Sequence, residues 1–113
     1  MLSVEDCDEI LAEALPAYGA GTATTRLLSL SENATYLVEP ADGPRLVVRV
    51  HRPGYQTPAS ITSELDWMDR LRTAAGVTTH AVVPARDGRR IVAVPRPGGE
   101  RHVVAFTVVV GGT

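Results

Sequence analysis

The stretch Pro40-Ala41-Asp42-Gly43-Pro44 restricts what this chain can fold into more than any other. Its two prolines can neither donate to a strand ladder nor continue a helix, and Asp-Gly favours a tight reversal. The apolar residues on either side must therefore belong to separate short elements. Upstream, Leu27-Leu28-Ser29-Leu30 reads as a strand, Ser31-Glu32-Asn33-Ala34 as a turn and residues 35–39 as a second strand. Downstream, residues 45–50 read as a third. Consecutive short strands joined by tight turns imply an antiparallel meander.

The period then changes. Thr57 followed by Pro58 is a helix start, an N-cap residue with proline at the first helical position. This helix runs to about Ala75 and stops at Gly76, with Ile61, Leu65, Met68, Leu71 and Ala75 as its apolar stripe. An earlier helix covers residues 3–16. Ser3 caps it, Asp6 sits three residues on, Val4, Cys7, Leu11, Ala14 and Leu15 face the core, and Gly19 and Gly21 end the segment. Residues 82–85 and 89–94 flank Asp87-Gly88, a hairpin signal, and residues 101–110 form a last strand.

The expected fold class is α+β: a curled antiparallel sheet of about five strands, one crossing helix and an N-terminal helix. One domain spans 1–113, in segments 1–20, 26–50, 57–75 and 82–110.

Composition removes several function classes. Net charge is −2, so nothing draws the chain to nucleic acid or to an anionic membrane. The first residues are acidic, without the basic and apolar regions of a signal peptide, and no apolar run reaches membrane-spanning length. A single cysteine, Cys7, cannot form an internal disulfide and reads as a small core residue, so the default location is reducing and cytoplasmic. His51, His80 and His102 lack metal-ligand spacing. Trp67 reads as packing beside Met68, and Arg86, Arg89, Arg90, Arg96 and Arg101 as a solvated face.

Five stretches taken in order carry a resemblance. Residues 31–36 (Ser-Glu-Asn-Ala-Thr-Tyr) look like the short phosphate-loop segment of aminoglycoside phosphotransferase-like and homoserine-kinase-like enzymes. Residues 46–55 resemble their third strand and the loop leaving it. Ser63-Glu64-Leu65 sits where their helix carries a glutamate. Val83-Pro84 with Asp87-Gly88 resembles the next hairpin, and Val110-Gly111-Gly112 the hinge into the large lobe. Bacterial stress-response kinases of this superfamily share the same run, and the likeness extends from about Leu27 to the C-terminus.

The resemblance implies a protein-kinase-like small lobe that binds ATP, with Mg2+ expected only in the complete enzyme. Phosphoryl transfer needs the nucleotide phosphates held and their charge offset. Arg49 would supply the cation and Glu64, within salt-bridge reach, would hold it. Asn33 would donate its amide from the turn that also contains Ser31. Val47, Leu30 and Val38 would line the adenine pocket, and the backbone from Thr107 to Val109 would pair with the adenine edge.

Three departures stand out. The family's lysine is replaced by Arg49, a planar fork instead of a point charge. The turn lacks G-x-G-x-x-G. No H-G-D or H-R-D catalytic loop and no D-F-G is present. The expected function is the ATP-binding lobe of a phosphotransferase acting on a small-molecule or protein hydroxyl, inactive as an isolated chain. The alternative is a stand-alone, non-catalytic binding or regulatory module. An uncovered strand 103–110 or an open cleft would also favour self-association.

Overall fold

The computed structural model describes residues 4–30, 33–41, 43–51, 57–74, 81–97 and 99–108. Helix α1 (Val4–Ala14) runs into a 3-10 turn (Leu15–Tyr18). Then come β1 (Thr24–Leu30), β2 (Asn33–Glu39), β3 (Leu46–His51), α2 (Pro58–Ala74), β4 (Val82–Val83), β5 (Val92–Arg96) and β6 (Gly99–Thr107). The architecture is α+β. All pairings are antiparallel, in the order β1-β2-β3-β6-β4, with β5 also beside β6. The expected cap Ser3 and the helix stop at Ala75 and Gly76 lie outside the described residues.

The described residues form six strands, in line with the expected sheet of about five, and the pairing turns on β6. Its nine residues carry β3 along one edge and both β5 and β4 along the other. Residues 82–85 and 89–94 therefore do not pair with one another as a hairpin. Pro84 cannot donate to a ladder, so β4 stops at Val83. A tight turn follows, in which Ala85 N–H donates to Arg89 O (2.8 Å) and Gly88, at φ 92°, donates to Ala85 O (2.9 Å). This turn carries the chain from the Thr107 end of β6 to its other end. The hairpin is β5–β6, closing at Arg96 opposite Gly99, and the Pro97-Gly98 dipeptide is its sequence signal. Of the uncovered strand expected over residues 103–110, the stretch 103–107 has both sides occupied, and residues 109–110 lie outside the described residues.

Period-two alternation gives the sheet two apolar faces. Ala34, Tyr36 and Val38 of β2, Leu46, Val48 and Val50 of β3, and Val103 and Ala105 of β6 share one face, and α1 covers it with Cys7, Ile10, Leu11 and Ala14. Ile10 thus joins the helical stripe, whereas Val4 is 39% exposed. Polar ties reinforce this face. Tyr36 donates to Asp8 Oδ1 (2.6 Å), and Arg96 reaches Glu9 (2.9 Å), Asp6 and Glu13. Arg101, almost fully buried, donates through Nε to His51 O (3.0 Å). Burial pushes the Tyr18 hydroxyl up to about 12 and raises that of Tyr36 further, the latter also through its hydrogen bond to Asp8. Gly19 closes the 3-10 turn at φ 72°, where a Cβ would also run into the Arg86 side chain.

The other face is smaller. Val104 and Phe106 of β6 and Val47 of β3 meet Ile61, Leu65 and Met68 of α2, with Val82 and Ile91 at the margin. Thr57 and Ser60 cap α2 reciprocally, each side-chain oxygen accepting from the other's N–H at 3.1 Å. Trp67 is 58% exposed instead of packed, because it lies off the stripe that Leu65 and Met68 continue. The arginines do not form one solvated face either. Arg101 is buried, Arg96 binds α1, and Arg90 binds Asp66 (3.0 Å) and Asp69 (3.7 Å) of α2.

Candidate functional site

The α2 face of β3 presents Val47, Arg49 and His51, which lie opposite Leu37, Thr35 and Asn33 of β2. The structure brings Arg49 and Glu64 together: Arg49 Nη1 lies 3.4 Å from Glu64 Oε1. Glu64 reaches it from the flank of α2, one residue before the buried Leu65. At 32% and 42% side-chain exposure, the pair contributes only about 0–1 kcal/mol to stability, so its consequence is to place a cation. Arg49 also lies over the Phe106 ring, 5.2 Å from its centre. A guanidinium, planar and weakly hydrated, rests on an aromatic face more readily than an ammonium does.

Around this cation is a hollow of about 330 Å³ lined by Leu28, Thr35, Val47, Arg49, Met68 and Phe106. Its walls are mainly apolar, with one fixed positive charge: a shape suited to a flat apolar group attached to an anion. Two of the expected wall residues are elsewhere. Val38 is fully buried opposite Leu46, on the α1 face, and the β2 residue facing Val47 is Leu37. Leu30 pairs with Ala34 and so also follows the α1 face, where it stays 42% exposed.

The reason is a bulge in β1, where the register shifts between Leu27 and Ser29. A regular strand would put Leu28 and Leu30 on one face. The extra residue reverses the alternation beyond it, so that Leu28 lines the hollow and Leu30 does not. Leu28, Thr35, Met68 and Phe106 are the lining residues that the sequence alone did not single out. Counting register back from Val47 across the Pro40–Pro44 turn points to Leu37 in place of Val38, but no residue type in β1 announces the bulge.

Asn33 begins β2 opposite His51, and its Oδ1 is buried with no hydrogen-bond partner among the described residues. An unpaired buried acceptor costs roughly 1–3 kcal/mol. Thr107 is not in the Arg49 hollow. Its N–H donates to Ala81 O (2.8 Å) and its Oγ1 accepts from Ala81 N–H (3.0 Å). With Pro44, Arg45, Leu46, Val83 and Val108 it lines a second hollow of about 210 Å³ at the end of the sheet. Ser31 and Val109 lie outside the described residues. Among the described residues, no group of three or more His, Cys, Asp or Glu side chains is placed to hold a metal ion, and no helix is long and apolar enough to cross a membrane.

Residues 23–104 match the model of a family described as the phosphotransferase enzyme family. Among solved structures, a microcompartment-associated aminopropanol kinase is 50% identical, with TM-score 0.84 over 90% of this chain and 31% of its own. The amicoumacin kinase hAmiN, in complex with AMP-PNP, Ca2+ and Ami, is 20% identical, with TM-score 0.78 over 94% of this chain and 32% of its own. The second likeness is one of fold alone. The chain spans about a third of the length of either structure. No curated protein matches it.

Proposed function

The chain belongs to the phosphotransferase enzyme family, and from that premise we propose that it is the ATP-binding lobe of a kinase that transfers the γ-phosphoryl group to a hydroxyl acceptor. One observation carries the reading: Arg49, two residues after Val47 on the same strand face, meets Glu64 over Phe106 at the wall of an apolar hollow. In this reading the adenine enters between Leu28, Val47 and Phe106. The phosphates lie toward Arg49, whose charge Glu64 holds in place. The Asn33 amide acts from the start of β2, with Ser31 two residues before it in the sequence, and in this proposal the backbone from Thr107 to Val109 meets the edge of the base.

Catalysis of phosphoryl transfer is largely positioning and charge stabilisation, and this lobe supplies the nucleotide half of it. ATP as the donor is supported by the AMP-PNP complex of the amicoumacin kinase. Mg2+ would neutralise phosphate charge when bound. The described residues offer no acidic cluster for it, so it would arrive with the nucleotide and with ligands other than these. The aminopropanol kinase favours a small hydroxyl compound as acceptor over a protein. The 113 residues hold no H-G-D, H-R-D or D-F-G motif to orient an acceptor or bind the metal, so the chain by itself would bind nucleotide weakly and turn over nothing.

Titration of the protein with AMP-PNP tests the reading. Arg49→Gln is expected to weaken binding by about tenfold or more, because a charge-assisted contact to phosphate is lost. Arg49→Lys should retain most of it. Unchanged affinity in Arg49→Gln overturns the assignment, and so does turnover of ATP with any acceptor by the isolated chain.

A further inference from the structure

The pair that defines the site depends on where α2 sits, and the described side chains of α2 offer few apolar anchors. Among them Ile61 and Leu65 are buried, with Met68 half-buried beside them. A second grip comes from the two residues leading into β5. Ile91 packs against the cluster of Ile61, Leu65 and Phe106. Its neighbour Arg90 spans two carboxylates one helical turn apart, with Nη2 3.0 Å from Asp66 Oδ1 and Nη1 3.7 Å from Asp69 Oδ2.

At about 100° per residue, Glu64 lies on one flank of the Ile61–Leu65 line, and Asp66 and Asp69 lie on the other. The helix is thus held on one side by Arg49 of the sheet and on the other by Arg90. The Arg90 strap is itself fixed to the better-packed half of the molecule. Arg86 N–H donates to Ala17 O (2.8 Å), and Ala85 N–H donates to Arg89 O (2.8 Å).

We propose that Arg90 is a positioning residue for the nucleotide site: by tethering Asp66 and Asp69 it sets the rotation and depth of α2, and so keeps Glu64 within reach of Arg49. This rests on the reading of Arg49 and Glu64 as the phosphate-holding pair. Removing the tether leaves the helix formed but lets Glu64 move away, so the loss falls on nucleotide affinity more than on global stability.

Two measurements on the purified protein and its Arg90→Gln, Arg90→Lys, Glu64→Gln and Arg49→Gln variants test this. The first is AMP-PNP affinity. Arg90→Gln is expected to weaken it roughly three- to fivefold, the scale of a partly exposed ion-pair network, and Arg90→Lys to restore part of the loss. The Arg90→Gln/Glu64→Gln double variant should bind no more weakly than Glu64→Gln alone, because the tether acts through Glu64. The second is hydrogen exchange, which should speed up over residues 58–71 in Arg90→Gln and stay unchanged over residues 4–14.

Full affinity in Arg90→Gln, full additivity with Glu64→Gln, or unaltered exchange in α2 each overturns the tether. Should Arg90→Gln fail to fold, Asp66→Asn/Asp69→Asn removes the same tether from the helix side and carries the same expectations. If Arg49→Gln and Glu64→Gln bind AMP-PNP as the unsubstituted protein does, the site reading falls, and the positioning role falls with it. If those two weaken binding and the Arg90 and Asp66/Asp69 variants do not, the tether alone is wrong.

Discussion

Helices α1 and α2 flank opposite faces of one sheet, yet among the described residues the shorter of them buries more apolar side chains. The eleven residues of α1 bury Cys7, Ile10, Leu11 and Ala14 against strands β2, β3, β5 and β6. Asp8 and Arg96 add polar ties between this helix and the sheet. The seventeen residues of α2 bury Ile61 and Leu65 in a cluster with Val104 and Phe106, and ion pairs to Arg49 and Arg90 hold its flanks. The comparison separates two uses of an amphipathic helix. One completes a core. The other carries Glu64, the carboxylate proposed for the nucleotide site, on a support with fewer buried apolar residues among those described, and segments with few buried apolar contacts open at lower free energy than the core does.

The largest expected effect tests that difference directly. Ile10→Ala should cost about 3–4 kcal/mol and Leu65→Ala about 2–3 kcal/mol in urea denaturation, since a cavity in the larger and more tightly enclosed cluster relaxes less. Leu65→Ala should also weaken AMP-PNP binding, whereas Ile10→Ala should not while the protein remains folded. Equal stability losses, or a nucleotide effect from Ile10→Ala, would break the contrast.

Alkaline pH should act on the α1 side. Tyr18, with an ordinary value of 10.0, is held near 12 by burial, and Tyr36 is raised by burial and by Asp8. Between these values the unfolded chain releases protons that the native state keeps. Stability is therefore fully present below pH 10.0 and falls as pH rises toward about 12. Thermal melts across that range should show the decline, and Tyr18→Phe should flatten it. An unchanged profile in Tyr18→Phe would remove this residue from the account.

A smaller effect is expected at Arg96, whose guanidinium reaches Glu9, Asp6 and Glu13 of α1. Arg96→Gln should lower the melting temperature slightly at low ionic strength, and the difference should vanish at about 0.5 M salt, as for exposed charges. A loss that survives high salt would mean that the packing of the arginine stem, and not its charge, holds α1 down. The smallest effect belongs to Trp67 on the exposed side of α2. Trp67→Ala should change stability by less than about 0.5 kcal/mol and leave nucleotide affinity unaltered.

Much of the fold was legible because its signals are local. Thr57-Pro58 starts a helix whatever surrounds it, and Pro40 to Pro44 must reverse the chain. The alternation in Leu46-Val47-Val48-Arg49-Val50 places Arg49 and Val47 on one face. The geometry of the candidate site was legible in part: Val47 and Arg49 share a strand face, and Glu64 comes within reach of Arg49. The errors in the rest share one origin. The family resemblance implies Leu30 and Val38 as wall residues, but register and the β1 bulge turn them to the α1 face. Asp87-Gly88 is a hairpin signal, but β4 and β5 each pair with β6 instead of with one another.

By itself the sequence determined the order of most helices, strands and turns, though it puts Asn33 and Ala34 in a turn where β2 begins, and which residues alternate together within one strand, because dihedral preference and period are properties of neighbouring residues. Only the tertiary structure decided that β6 lies inside the sheet, that Leu28 rather than Leu30 faces the hollow, that Phe106 lies under Arg49, and that Glu64 stands 3.4 Å from it. Each of these depends on pairing between segments distant in the chain. A one-residue shift in such a pairing moves a side chain to the opposite face of the sheet while leaving every local preference satisfied.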